Sequence, residues 1–269
     1  MPRIIPVLLS LALLCASDAE ASPSSRWREA WRLPATPTPA VAASSSDAFA
    51  SLQLQARAGG RSAVVSNLTA GPVQVRLRSD SRAPAATLLA AGEKRSLLWL
   101  EDDGNPLRLA LDAFPGDPAA QPQDHLYLLP LQSASIRVSQ AFAGHYSHTD
   151  PQNLYAVDFP VPESTPVLAA RAGRVMQVVD SQEQGSLLRI LHSDGSMALY
   201  AHLQAGSAKV RPGQSVAVGQ AIALSGNTGH SSGPHLHFVV QANTGLALRS
   251  IRFRMGSARG ELQFPRQAP

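Results

Sequence analysis

From about Phe49 onward, the apolar residues of this chain arrive in short runs with a period of two. Val73, Val75 and Leu77 alternate with Gln74, Arg76 and Arg78, which puts one set on each face of an extended strand. Ser62–Val65, Arg95–Leu100 and Leu107–Leu111 read the same way. Gly59-Gly60, Gly71-Pro72 and Asp103-Gly104-Asn105-Pro106 separate these runs at intervals typical of a small β-sandwich. The 21 prolines and 19 glycines in 269 residues argue against long helical bundles, and 44% apolar with 16% charged residues describes a folded chain rather than a disordered one. The expectation is an all-β protein: a small sandwich-like accessory domain over 49–130, then a second, antiparallel β domain over 131–269.

The N-terminus reads differently. Arg3, an apolar run from Ile4 to Leu14 and the small-residue pattern Ala19-Glu20-Ala21 form a secretory signal peptide over 1–21. The run is too short to span a bilayer, which takes about 20 apolar residues, so the mature chain is expected to have no transmembrane segment and to be periplasmic or secreted. The single cysteine, Cys15, falls inside this leader. Leu14 stands where a lipid-attachment motif carries Gly, Ala or Ser. Without other cysteines, a disulfide framework and a cysteine-rich zinc module are both excluded, and any metal chemistry must use His, Asp and Glu. Residues 22–48, rich in Ala, Ser, Thr and Pro, read as an extended linker.

Seven of the eight histidines follow residue 140: His145, His148, His192, His202, His230, His235 and His237. His125 reads as a boundary residue. In the strand Pro234–Val240, His235 and His237 are at i and i+2 and share a face, while Leu236, Phe238 and Val240 share the other. Leu187–His192 and Ser196–His202 flank Ser193-Asp194-Gly195, a hairpin signature. Its length puts His192 and His202 on the order of 20 Å apart, so they serve different places. His202 falls at the end that can meet His235 and His237. In Asn153–Phe159, read as a strand, Tyr155, Val157 and Phe159 make an apolar face and turn Asp158 the other way. Asp158, with His148 upstream and His237 downstream, completes the three-ligand set that a catalytic zinc uses. His202 and His235 are then left for hydrolysis, one to take a proton from the attacking water and one to stabilise the charge on the attacked carbonyl oxygen.

Tyr200-Ala201-His202-Leu203, Ser225-Gly226-Asn227-Thr228-Gly229 and Ser232-Gly233-Pro234-His235-Leu236-His237-Phe238, together with Thr165–Val175 and Val210–Gln220, resemble the motifs of the lysostaphin/LytM-type zinc metallopeptidases, peptidase family M23. The likeness covers nearly all of 135–242. It implies an antiparallel β domain with a groove, Zn2+ as cofactor, peptidoglycan cross-links or stem peptides as substrate, His237 as a ligand and His202 and His235 as the catalytic pair. Many members carry the first ligand four residues before the aspartate, where this chain has Leu154. His148 is preferred for that role over His145, because Ser147-His148-Thr149 before Tyr-Ala-Val-Asp-Phe looks like a subgroup with a more distant ligand. The reading is therefore an exported zinc metalloendopeptidase acting on peptidoglycan. A degenerate, non-catalytic relative that binds the wall or activates other murein hydrolases is the alternative.

Two other patterns point elsewhere. Gly229-His230-Ser231-Ser232-Gly233 matches the G-x-S-x-G nucleophile elbow, but Pro234 and a strand follow where that motif needs a helix. The net charge of +4 comes almost wholly from arginines scattered along the chain, and aromatics are 5% of residues. No basic stripe with stacking platforms emerges, so nucleic acid is not expected as a partner.

Overall fold

A computed structural model describes residues 40–42, 48–79, 85–101, 108–132, 136–181 and 185–264. The signal peptide read over 1–21, Cys15 and nearly all of the linker lie outside the described residues. Among the described residues there is no helix, and none long and apolar enough to cross a membrane. The strands are β1 (Ala40–Ala42), β2 (Ala50–Arg57), β3 (Gly60–Asn67), β4 (Val73–Ser79), β5 (Thr87–Leu89), β6 (Lys94–Glu101), β7 (Arg108–Pro115), β8 (Leu126–Leu128), β9 (Val157–Pro160) and β10 (Pro166–Leu168). They continue as β11 (Gly173–Ser181), β12 (Gly185–Leu191), β13 (Met197–Leu203), β14 (Ser215–Val216), β15 (Ala221–Leu224), β16 (His235–Asn243), β17 (Leu248–Ser250), β18 (Arg254–Ser257) and β19 (Gly260–Leu262). The fold is all-β.

Alternation decides how the N-terminal strands pack. β1-β7-β4-β5 form one sheet and β2-β3-β6 another. Val73, Val75, Leu77, Leu109 and Leu111 from the first meet Ala50, Ala63 and Val65 from the second in one buried cluster. Their polar neighbours Gln74, Arg76 and Arg78 stay out of that core, as a period of two requires. Ala40–Ala42, inside the stretch read as linker, pairs in parallel with Arg108–Ala110.

The C-terminal half is organised by one seven-stranded sheet, ordered β14-β11-β12-β13-β16-β17, with β9 also paired to β16. The Asp194-Gly195 hairpin forms, setting Leu191 opposite Met197. Ser193–Ser196 is held by Asp194, whose carboxylate accepts the Ser196 N–H at 3.1 Å. One sheet face buries Leu188, Ile190, Ala198, Tyr200, Leu236, Phe238 and Val240 against Val167, Ile222 and the β8-β18-β19 sheet. β8 pairs in parallel with β18. On the opposite face, Met176, Met197 and Leu248 join the core of the N-terminal sheets at one end. Leu199, Val239 and Ala156 make a small apolar floor toward the other.

Asn153–Phe159 departs from the expected continuous strand. Only Val157–Pro160 is extended, and the residues before it form a turn. Asp150 before Pro151 initiates it: the Asp150 carboxylate accepts the Gln152 N–H and the Asn153 side-chain amide, each at 2.8 Å. The last residues of the predicted strand thus keep Val157 and Phe159 in the core and Asp158 on the other face, while Asn153 is freed to point elsewhere.

Tyr200 ties the two layers together. It is fully buried, and its hydroxyl accepts the Ala170 N–H at 2.8 Å. Removing that acceptor strands a buried donor, at a cost of about 1–3 kcal/mol. Tyr200→Phe is therefore expected to lower unfolding stability by about that amount in urea titration, and an unchanged midpoint would contradict this role.

Candidate active site

Strand register assembles the site. Asp158 is paired directly with His237, and His237 with Ala201. Gln140, in an isolated bridge on the free side of β9, is paired with Asp158. Directly paired residues project to the same face with Cβ atoms about 5 Å apart, so Gln140, Asp158, His237 and Ala201 form one row across three strands and the bridging segment at Gln140. Alternation along β16 adds His235 beside His237. The opposite face of the same strands holds Phe159, Leu236 and Phe238, so the row is backed by a core that fixes it.

His148 arrives from the loop before β9. It is fully buried, its backbone N–H bonds to the Gly144 carbonyl at 3.1 Å, and its Nδ1 donates to the Ala141 carbonyl at 2.9 Å. Nε2 is left facing Asp158 Oδ2 at 3.2 Å, buried and without a hydrogen-bond partner. His237 is set the same way from the other side. Its Nε2 meets the Asn153 Oδ1 at 3.2 Å, and its Nδ1 meets Asp158 Oδ1 at 2.9 Å. Asn153 can only accept there, because its amide nitrogen is donated to Asp150. Each imidazole thus uses one N–H on a fixed acceptor and turns a lone pair toward a carboxylate that also has only lone pairs to offer. Such an arrangement calls for a cation or for protons between the groups. Burial disfavours charge on His148, but the Asp158 carboxylate outweighs it and raises the histidine's pKa. Burial also opposes ionisation of Asp158, yet His148 and His237 hold its carboxyl well below the usual range.

Ligand atoms of His148, Asp158 and His237 all lie within 4.8 Å of one another. The donor set is two nitrogens and an oxygen from buried side chains, which suits zinc with a position to spare. His145 is exposed and is not part of this group.

His202 reaches the row by a break in the strand. Along β13, Ala198 and Tyr200 face the core, and simple alternation would send His202 after them. Instead the β12–β13 pairing shifts between Ser186 opposite Leu203 and Leu188 opposite Tyr200. Ala201 and His202 together oppose Leu187, a β-bulge, and His202 takes φ 58°. Leu203 thereby enters the core and His202 turns to the groove, its ring 4.6 Å from that of His235 and 5.8 Å from that of His237.

The Ser225–Gly229 motif exists to hold this bulge. The Gly226 N–H donates to the His202 carbonyl at 3.0 Å, and a side chain at 226 would place its Cβ 2.6 Å from the Gln204 nitrogen. Thr228 presents its carbonyl to His202 Nδ1 at 2.8 Å. That leaves Nε2 of His202 as the free nitrogen, and burial, acting first, with His235 and His237 adding to it, pushes the imidazole down to about 4. His235 likewise gives Nδ1 to the Gly233 carbonyl at 2.7 Å, with Nε2 3.9 Å from Asp158 Oδ1.

Asn153, Asp158, His202, His235 and His237 line one open groove of about 970 Å³, with Tyr146, Leu199 and Ser231 among its walls. His230 lies exposed on its rim. His192 is elsewhere: at the hairpin end it bonds the Ala172 carbonyl and packs edge-on to Tyr127, and burial lowers its pKa to about 4. Ser231 belongs to a loop that leads into β16 rather than a helix, and its hydroxyl donates to the Gly233 carbonyl at 2.9 Å. Sequence reasoning missed Gln140, Asn153 and Thr228. Asn153 carried a sequence signal in the Asp-Pro turn before it, and Thr228 in the Ser225–Gly229 motif, which did not reveal its role; Gln140 carried none.

Residues 152–248 match the profile of Peptidase family M23. An uncharacterized metalloprotease of Haemophilus influenzae is 37% identical over 118 residues, which are 42% of this chain and 24% of that protein. The peptidoglycan DD-endopeptidase ShyA of Vibrio cholerae is 37% identical over 102 residues, 34% of this chain and 23% of that one. The DD-carboxypeptidase/endopeptidase Mpg of Neisseria meningitidis is 36% identical over 87 residues, 32% and 20% respectively. The chain spans about a quarter or less of the length of these curated relatives. The segment from 152 to 248 thus matches peptidase family M23, in agreement with the resemblance read from the sequence.

A left-handed conformation costs a residue with a Cβ about 1–2 kcal/mol relative to glycine. His202→Gly is therefore expected to be more stable than His202→Ala by about 1 kcal/mol in urea unfolding. Equal stabilities would show that position 202 carries no such strain.

Proposed function

We propose that this protein is an exported zinc metalloendopeptidase that hydrolyses peptide cross-links of bacterial peptidoglycan. The observation that carries the reading is the convergence of a buried His148, Asp158, His237 donor set with two further imidazoles whose Nδ1 atoms are already committed. His148, Asp158 and His237 would hold the zinc. When bound, zinc supplies Lewis acidity toward the scissile carbonyl and makes water a competent nucleophile near neutral pH.

The chain's own residues do the rest. The Gly233 and Thr228 carbonyls fix His235 and His202 in one tautomer, each with Nε2 available to the groove. One such nitrogen accepts the proton of the attacking water. That imidazole, now protonated, returns the proton to the leaving amine, while the other stabilises the oxyanion when its Nε2 carries a proton, contributions typically worth about 10²–10⁴-fold. Leu199 and Ala201 give the groove an apolar surface for the peptide to pack on.

The relatives named as DD-endopeptidases support a D,D cross-link as the bond cleaved. No lysine or arginine is among the described residues lining the groove, so no ammonium or guanidinium is placed there to pair with a terminal carboxylate. This favours an internal bond over a C-terminal one. The leader read over 1–21 supports export, since the substrate lies outside the cytoplasmic membrane. A non-catalytic role would be favoured by a missing first donor, and His148 supplies one.

Purified protein is expected to hold one zinc per chain and to lose cleavage of peptidoglycan on chelation, with recovery on adding zinc. His148→Ala and His237→Ala should lose both metal and cleavage, measured by metal analysis and release of new amino termini. His202→Ala and His235→Ala should keep zinc and lose cleavage by about 10²–10⁴-fold. Cleavage surviving in His148→Ala and His237→Ala would sink the assignment. With defined muropeptides, mass spectrometry should show cross-linked dimers split while uncross-linked pentapeptides persist; trimming of the pentapeptides alone would make the enzyme a carboxypeptidase.

A further inference from the structure

We propose that Gln140 is the positioning residue of the metal centre, a neutral amide that holds Asp158 in its ligating orientation. The inference rests on the reading of His148, Asp158 and His237 as the zinc ligands. Gln140 is buried, and its backbone is locked to Asp158: the Asp158 N–H donates to the Gln140 carbonyl at 2.8 Å and the Ser139 N–H to the Asp158 carbonyl at 3.0 Å. Its side chain then reaches along the same row. Nε2 donates to Asp158 Oδ2 at 3.0 Å and to Ser147 Oγ at 2.8 Å, while Oε1 accepts the Tyr146 N–H at 3.0 Å.

Every hydrogen-bonding group of the amide but one lone pair is used, and this fixes which way it points. Turning the amide over would set Oε1 against the carboxylate and Nε2 against the Tyr146 N–H, two repulsive contacts in a buried place. The chain also makes room for it. A side chain at Gly144 would put its Cβ 2.1 Å from Gln140 Cγ. Neighbouring residues orient the two ligands, the side-chain amide of Gln140 acting on Asp158 and the backbone carbonyl of Ala141 on His148.

The residue type follows from the charge at the site. A buried carboxylate needs a donor to remain ionised, but a lysine or arginine there would repel a cation and compete for the carboxylate. A neutral amide supplies the donor without the charge. Partners of this kind usually contribute about 10–100-fold to metal affinity.

The test uses the full chain and zinc alone. Gln140→Met keeps the size and removes the donor, and Gln140→Asn keeps an amide too short to reach Asp158. Each is expected to weaken zinc binding by about 10–100-fold in chelator competition. Each should also shift the visible bands of the cobalt-substituted protein, which report ligand geometry and not overall stability. Wild-type zinc affinity and an unchanged cobalt spectrum in either folded variant would overturn the proposal. A wild-type protein that binds no zinc would overturn the proposed function itself, and this inference with it.

Discussion

The pairing of β16 with β9 on one edge and β13 on the other is the constraint on which the site depends. Through that double register, His237 meets Asp158 on one side and the end of β13 on the other. A slip of one residue in either pairing would turn its histidine or aspartate into the core and its core residues into the groove. Phe159, Leu236, Phe238 and Tyr200, all fully buried, oppose such a slip by their packing. The apolar layer therefore sets the geometry of the polar one.

Around this row the protein holds its functional groups by their spare hydrogen bonds. Backbone carbonyls of Ala141, Thr228 and Gly233 take one N–H each from His148, His202 and His235, and Asn153 takes one from His237. Four imidazoles are thereby oriented without any added charge. Part of the cost is the left-handed backbone at His202, which the Gly226 contact and Thr228 over-determine, and Ala143, in the loop before His148, is left-handed as well.

The N-terminal sheets share the sheet face that carries the groove. Met176 and Met197 of the large sheet are buried in their core, and the Asn243 amide donates to the Gly116 carbonyl at 3.0 Å. Between this contact and the groove floor lies Arg189, buried, stacked 5.6 Å from the centre of the Phe49 ring and bonded to Gln241 rather than to a carboxylate. Burial lowers its pKa to about 10, so it stays charged at neutral pH. Gln241 in turn donates to the Gln152 carbonyl, one residue from Asn153. A continuous polar seam thus connects the two halves of the chain under the site.

Much of this was legible in the sequence because strand parity is a local property. Leu236, Phe238 and Val240 against His235 and His237, and Val157 and Phe159 against Asp158, follow from a period of two, and the motifs carried the M23 resemblance. His202 meets His235 and His237 as its place in the hairpin suggested, but strict alternation with Ala198 and Tyr200 would turn it to the core; only the bulge, made possible by a glycine 24 positions later in the chain, turns it outward. Gln140 had no motif, and its meaning came from being opposite Asp158. The turn at Asp150–Tyr155 likewise replaced a strand that the pattern extended too far. Composition and alternation determined an all-β chain and the residue types available to bind a metal. Which of those residues meet was decided by the tertiary structure, because register, bulges and loop closure bring together groups far apart in sequence.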